Sequence, residues 1–413
     1  MVQPVDGVKK ILYISYDGLT DPLGQSQILP YLVALSKKGY RFTILSFEKK
    51  ERFEKEKEII KSIIEQAEIR WVPLRFTKKP PVLAKMWDHW RLMKTAKRLY
   101  QKEKFDWVHC RSYIAAEAGL MLKKKFSVKF IFDMRGFWAD EKVENGQWNL
   151  SNPVYKTTYH KYKNLERELL LNADAVITLT DAAKDYLLQQ PEYKQLQIDV
   201  IPCCADLSHF DFQRISTDEK KKLRSELGLK DDQKLITYLG SVGGWYMTKE
   251  MFAFFKQLEQ SQPQYKMLVL TKDDPDAVKT EAAALGIQSG SLLVTYAQRQ
   301  QLPRYLAISD LGLFFINKSF SKTASSPTKH AELMGMGIPV ICNDIGDTGR
   351  IVSRTNTGVV VNEFEENSFK EIIGSIDQLV ATDKQRIRQC ALDIFDLNAG
   401  VDKYTSIYQR LSH

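Results

Sequence analysis

Three segments of this 413-residue chain carry residue types and spacings that suit phosphate chemistry. In the run Ser325-Ser326-Pro327-Thr328-Lys329-His330-Ala331-Glu332, Ser326 fits a helix N-cap and Pro327 the first helical position. The free N–H groups of such a first turn, with Thr328 and Lys329 beside them, form an anion site suited to a diphosphate. Glu332 lies one to two turns further in, where a carboxylate can accept hydrogen bonds from two neighbouring hydroxyls, as a ribose presents them. A well-capped surface helix would use the same residues. The second segment is Gly240-Ser241-Val242-Gly243-Gly244, with Lys249 opening the helical pattern that follows. Its glycines let backbone approach a ligand closely, although a tight turn would use them as well. The third runs from Asp17 to Gln27 and contains Gly18 and Gly24. That third segment is neither a GxGxxG nor a P-loop, so a nicotinamide or ATP site of standard form is not supported there.

All three follow short apolar runs, and the pattern of those runs sets the expected fold. The first half of the chain offers strands at about 11–16, 42–47, 69–74, 107–110, 129–134, 175–180 and 198–203. The second half offers them at about 234–239, 266–271, 292–296, 311–316, 339–342 and 358–361. Several are continuously apolar, as strands covered on both faces are. Helical patterns such as 27–38, 164–172 and 249–259 separate them, which predicts parallel sheets built from right-handed βαβ units. So many strands exceed one comfortable open sheet. The chain therefore reads as α/β, with two doubly wound Rossmann-like domains facing a cleft. Their expected bounds are 1–206 and 231–396, with a polar linker at 207–230 and a helix at 397–413 that packs back on the first domain. In such sheets ligands bind beyond the carboxyl ends of strands, which is where the three segments fall.

Composition narrows the classes further. Hydrophobic residues make up 44% and charged residues 27%, the balance of a globular protein, which excludes a disordered, collagen-like or coiled-coil chain. No apolar run approaches the roughly 18 residues of a membrane span, and no leader is expected. Five scattered cysteines without a CxxC pair imply neither a disulfide framework nor a zinc site, and point to the cytoplasm. Of the net charge of +9, +8 lies between Arg75 and Lys104, where ten basic residues face two acidic ones. A nucleic-acid binder would spread that charge more widely, so no nucleic-acid partner is expected. Within 82–104, Leu83, Met86, Trp87, Trp90, Met93 and Leu99 alternate with basic residues. That pattern suits either an interfacial helix on anionic lipid at the inner membrane face or a helix with a core stripe and solvated lysines. On the interfacial reading, the acceptor site lies between this helix and the Gly24 loop.

Taken in order, these motifs resemble the retaining glycosyltransferases of the GT-B fold, specifically family 4, over nearly the whole chain. Asn172-Ala173-Asp174-Ala175-Val176-Ile177-Thr178 is similar to the family's "ADxVI" strand. Val200-Ile201-Pro202-Cys203-Cys204-Ala205-Asp206 with Phe210 is similar to its "VIPNGVD…F" end of the first domain. Ser325 through Glu332 to Pro339-Val340-Ile341 resembles the branch reading "SPxKxxEYMAxGxPVI".

The resemblance implies transfer of a hexose-type sugar from a nucleotide-diphosphate donor to a hydroxyl of a glycan or lipid-linked acceptor, with retention. It makes Glu332 the ribose ligand and Ser326, Pro327 and Thr328 the helix start that meets the diphosphate. Gly24, Gly240, Ser241 and Lys249 line the phosphate side, and Tyr296 meets the base. Arg135, with Asp133 beside it, stands at the sugar-facing position. The chain departs from the family pattern in three places: Ala324 stands where the first glutamate of the pair belongs, Ser241 replaces an arginine, and Arg135 replaces a histidine. Lys249, Lys329, Arg299 or the helix dipole must then offset the phosphate charge. No cofactor and no essential metal are expected. The alternatives are a nucleotide-sugar epimerase of the same fold and a non-catalytic membrane- or polyanion-binding protein.

Overall fold

A computed structural model of the protein describes residues 8–412. Its described residues form two compact units, the first of 8–202, 323–325 and 397–412 and the second of 203–322 and 326–396. Each is built on one parallel sheet. In the first unit the strands are β1 (Lys9–Ser15), β2 (Tyr40–Glu48), β3 (Arg70–Arg75), β4 (Trp107–Arg111), β5 (Lys129–Asp133), β6 (Ala175–Thr178) and β7 (Ile198–Val200). Their order across the sheet is β3-β2-β1-β4-β5-β6-β7. In the second unit β8 (Lys234–Leu239), β9 (Tyr265–Leu270), β10 (Leu292–Thr295), β11 (Leu311–Phe314), β12 (Val340–Asn343) and β13 (Gly358–Val361) lie in the order β10-β9-β8-β11-β12-β13.

Each strand falls where an apolar run predicts it. The central strands are buried on both faces: Ile11, Leu12 and Ile14 of β1, Val108 of β4, and Leu311, Leu313 and Phe314 of β11 have no exposed surface. Strand order reverses between β1 and β4 and again between β8 and β11, and such switch points open a crevice beyond the strands' carboxyl ends.

Three expectations need correction. The stretch 207–230 is not a linker standing apart from the domains. It lies in the second unit, where Leu207, Phe210 and Leu223 are core residues and the helix Thr217–Glu226 starts on a Ser216/Glu219 capping box. The segment after β1 is not an open glycine loop. Pro22 starts a helix, Pro22–Gln27, that contains Gly24, and a break at Ile28 separates it from the helix Leu29–Ser36, which carries Pro30 in its first turn. Finally, the helix Pro81–Glu103 does not present one apolar stripe. Leu99 is buried with Ala84, Leu92 and Ala96, whereas Leu83, Met86, Trp87 and Trp90 are 64%, 63%, 52% and 48% exposed.

The C-terminal helix, Leu397–Ser412, belongs to the first unit. It buries Tyr404, Ile407 and Tyr408 and is pinned by Arg410 to Asp199 at 2.5 Å and by Lys129 Nζ to the Leu411 carbonyl at 2.5 Å.

Candidate functional site

In the second unit the switch point is lined by the turn after β8 and by the helix Thr328–Gly335. Thr328 opens that helix half-buried, and Pro327, not Ser326, is its N-cap. Ser326 Oγ instead accepts the Cys203 N–H at 3.1 Å, a partner 123 residues away in sequence.

Glu332 is buried, 4% exposed, and accepts a hydrogen bond from Arg299 Nη1 at 2.8 Å. Burial pushes its carboxyl pKa up, and the Arg299 guanidinium works against that. Arg299, itself partly exposed, also lies 5.2 Å above the Phe210 ring, so the cation is already engaged by a carboxylate and an aromatic face. Tyr296, the first residue after β10, is half exposed with Lys272 Nζ 5.6 Å over its ring, an arrangement that leaves an aromatic face available to a base.

Lys329 is the largest departure from a solvated helix lysine. It is 5% exposed, its Nζ is 3.6 Å from the Tyr246 ring centroid and 4.3 Å from that of Tyr238, and it donates to Tyr238 Oη at 3.2 Å. No carboxylate lies within ion-pairing distance of it among the described residues. Burial drives its pKa well below that of a free lysine, with Glu332 working in the other direction. Gly240, at φ +128°, allows this approach, because a Cβ there would stand 2.8 Å from Lys329 Nζ.

The turn itself is already partly hydrogen-bonded. Val242 N–H donates to Asp273 Oδ2 at 2.5 Å and Gly243 N–H to Thr248 Oγ1 at 2.8 Å, while the Ser241 carbonyl accepts from Tyr238 Oη. Lys249, in the first turn of the helix Thr248–Ser261, is exposed to solvent. The structure thus brings Gly240, Lys329 and Glu332 together with Arg299, and leaves Lys249 on the surface.

In the first unit a second cluster sits at the carboxyl ends of β1, β4 and β5. Asp133 is 1% exposed and receives Tyr404 Oη at 3.2 Å, with His109 Nε2 at 3.7 Å and Arg135 Nη1 at 3.6 Å. Burial would raise its carboxyl, but Arg135, His109 and Arg111 together hold its pKa at about 2. Burial keeps His109 below its usual pKa, and its Nδ1 meets Tyr408 Oη at 2.7 Å. Arg111 Nε is 3.7 Å from Asp17 Oδ2. Arg135 (φ +62°) and Ser112 (φ +64°) adopt left-handed backbone, a strain of order 1–3 kcal/mol that tends to persist at functional positions. Asp133 is therefore a buried anchor that orients Arg135.

Neither His109 nor Arg111 stood out in the sequence. Their only signal was position, near or at the end of a strand that flanks the switch. Glu48 was missed as well. It ends β2, is 2% exposed, and accepts from Leu19 N–H at 2.8 Å, Thr20 N–H at 3.1 Å, Thr20 Oγ1 at 2.6 Å and Ser46 Oγ at 2.6 Å, fixing the turn that follows β1. Among the described residues no group of three His, Cys, Asp or Glu side chains is placed to hold a metal ion.

The sequence profile of Glycosyltransferase Family 4 matches residues 30–209, and that of Glycosyl transferases group 1 matches residues 219–389. A D-inositol 3-phosphate glycosyltransferase of Segniliparus rotundus is 20% identical over 275 residues, 65% of this chain and 58% of that protein. An alpha-monoglucosyldiacylglycerol synthase of Streptococcus pneumoniae is 24% identical over 240 residues, 57% of this chain and 52% of that protein. The matches thus span a little over half the length of these curated relatives. Anabaena HepE, solved with UDP and glucose, shares the fold with a TM-score of 0.69 at 15% identity, covering 97% of this chain and 99% of that one.

Proposed function

We infer the chemistry of this chain from the family to which it belongs, the GT-B glycosyltransferases of the family 4 type: it transfers a sugar from a nucleotide-diphosphate donor to an acceptor hydroxyl. The observation that carries this reading is Lys329. A buried lysine with no carboxylate partner, set under the Gly240 turn at the first turn of a helix, is an electrostatic arrangement that a bound diphosphate would complete. Glu332, one turn deeper, is the ribose acceptor. Tyr296 faces the base. UDP is the first donor nucleotide to test, because HepE was solved with it.

Retention follows from front-side attack of the acceptor hydroxyl on the anomeric carbon. As the anomeric C–O bond to the diphosphate breaks, the new C–O bond forms on the same face, and the acceptor proton passes to a donor phosphate oxygen. The protein's part is positioning and stabilisation of the departing charge by protein groups, with no essential metal. Arg135 is the sugar-facing group, and Asp133 acts through it as a positioning residue.

The acceptor is a glycan or a lipid-linked molecule. The pneumococcal relative is named for a glycolipid product. The helix Pro81–Glu103 supports a membrane-facing acceptor, since Leu83, Met86, Trp87 and Trp90 are exposed beside Lys85 and Lys94. No helix among the described residues is long and apolar enough to cross a membrane.

The test is a screen of nucleotide sugars for donor-dependent release of nucleoside diphosphate, with the product's anomeric configuration read by NMR. Inversion would overturn the mechanism. Donor conversion to its C2 epimer without transfer would overturn the transferase reading.

A further inference from the structure

The carboxyl ends of β2 and β3 open into a cavity of about 790 Å³, within the roughly 300–1,000 Å³ typical of small-molecule sites. It is bounded by Lys49 to Arg52, by Arg75 to Lys79, and by Trp87 and Arg91 of the helix Pro81–Glu103. Seven of its lining residues are basic and one, Glu51, is acidic.

Three of the seven cations are already paired. Asp21 holds Lys49 at 2.8 Å and Arg52 at 2.7 Å, and Asp88 holds Arg91. The other four, Lys50, Arg75, Lys78 and Lys79, have no ion pair among the described residues. Closely spaced like charges of this kind repel one another unless an anion sits between them.

Hydrogen bonds tie two walls of the cavity together. Asp88, with no exposed surface, accepts Thr77 N–H at 3.0 Å and Thr77 Oγ1 at 2.7 Å, and Tyr16 Oη at 3.3 Å. Arg91 donates to Thr77 Oγ1 at 3.2 Å and to the Arg75 carbonyl. The segment carrying Arg75, Lys78 and Lys79 is thereby fastened to the helix.

One wall is also part of an apolar surface. Trp87 lines the cavity and stacks on Trp90 with ring centroids 4.9 Å apart, and both belong to the exposed patch with Leu83 and Met86. Amphipathic helices lay such patches into the boundary between lipid headgroups and acyl chains. A lipid meeting this patch has its headgroup beside the cavity mouth.

We propose that this cavity binds the phosphate- or diphosphate-bearing headgroup of a membrane lipid, and that the acceptor is a lipid of that class. The word acceptor rests on the transferase reading above; the headgroup site does not. The phosphate monoester end, carrying about −1.5 to −2 charges at neutral pH, matches the four unpaired cations better than a singly charged diester.

The test compares phosphatidylcholine vesicles doped with phosphatidic acid, a phosphomonoester, against vesicles doped with phosphatidylglycerol, a diester, at matched zeta potential. Co-sedimentation should favour the phosphomonoester vesicles about tenfold. The double variant Arg75→Gln/Lys78→Gln, confirmed folded by its melting curve, should lose this preference yet keep equal, weaker binding to both. Trp87→Ser/Trp90→Ser should weaken binding to both. Equal binding of the two vesicle types by the unaltered protein, or a preference that survives the double Gln variant, overturns the proposal. So does saturation by inorganic pyrophosphate alone at the affinity seen for vesicles, which would make this a site for soluble anions. Binding of UDP to the same preparations is read separately. Its absence alongside an intact headgroup preference would withdraw the transferase reading and leave the headgroup site standing.

Discussion

Arg299 Nη1 donates to Glu332 Oε1 at 2.8 Å, across 33 residues of sequence. The carboxylate is buried and the guanidinium partly exposed, so the pair neutralises a charge that would otherwise be costly at that depth. It also fixes the carboxylate's orientation and leaves oxygen lone pairs for other donors. If those donors are the hydroxyls of a ribose, Glu332→Ala should weaken nucleoside diphosphate binding by about 10- to 150-fold, the equivalent of one charged hydrogen bond. Arg299→Met should lower both the melting temperature and the affinity, because it strands the carboxylate. Calorimetric titration of the folded Glu332→Ala protein with an unchanged dissociation constant would remove the ribose role.

Lys329 makes a prediction about protons. Its pKa in the empty protein is well below the free value because it is buried. An anion bound beside it would raise that pKa. Binding of nucleoside diphosphate should then take up a proton, and affinity should fall as pH rises. Folding carries the opposite consequence. The unfolded chain binds more protons at this position than the folded one, so the lysine lowers stability at neutral pH, and its cost fades as pH rises toward the unfolded value. Lys329→Met should therefore raise the melting temperature of the empty protein while weakening diphosphate binding and abolishing its proton uptake. Titrations in two buffers of different ionisation enthalpy measure that uptake; identical heats in both would show that the lysine does not titrate on binding.

Asp133 follows the opposite sign. Its pKa is depressed to about 2, so its contribution to stability is fully present above the unfolded carboxylate value near 3.9 and is lost progressively as pH falls from there through about 2. Asp133→Asn removes the charge that holds Arg135 and His109 and should cost about 3–5 kcal/mol, as loss of one partner in a buried charged network does. Tyr404→Phe removes a single hydrogen bond to the same carboxylate and should cost about 1 kcal/mol. Urea unfolding at pH 7 ranks the two; a larger loss for Tyr404→Phe would show that the carboxylate is not the centre of the cluster.

The central strands were legible because they are near-continuous apolar runs, and burial on both faces demands such runs; edge strands such as β3, which holds Arg70, Pro73 and Arg75, gave a weaker pattern. The switch-point segments were legible for a related reason, since glycine and proline mark where strand gives way to helix. Side-chain partners distant in sequence were not legible. Ser326 has the right type and place for an N-cap, yet a backbone N–H from Cys203 takes its hydroxyl. Lys329 reads as a cation beside the helix start, but nothing in the sequence tells that two tyrosines, from β8 and from the turn after it, close over it. The helix Pro81–Glu103 carries apolar residues on two faces, and periodicity alone does not tell which face the sheet covers.

The turn after β1 provides the last prediction. Gly24 packs directly on backbone: a Cβ there would lie 2.0 Å from the Gly18 carbonyl oxygen and 2.6 Å from Leu19 Cα. Neither is the movable end of a side chain, so Gly24→Ala must push the short helix away from the turn. Overpacking of this kind costs about 1–3 kcal/mol. Glu48 holds the other side of the turn through the N–H groups of Leu19 and Thr20. Glu48→Gln keeps the shape but replaces one of the two acceptor oxygens with an NH2 donor that faces a backbone N–H, so one of the two backbone hydrogen bonds is lost. Both variants should loosen the same few residues. Hydrogen exchange at Leu19 and Thr20 should accelerate in each, while exchange in β8 to β13 stays unchanged. Acceleration confined to the Gly24→Ala protein would show that Glu48 does not hold the turn, and a uniform rise through both sheets would mean global destabilisation.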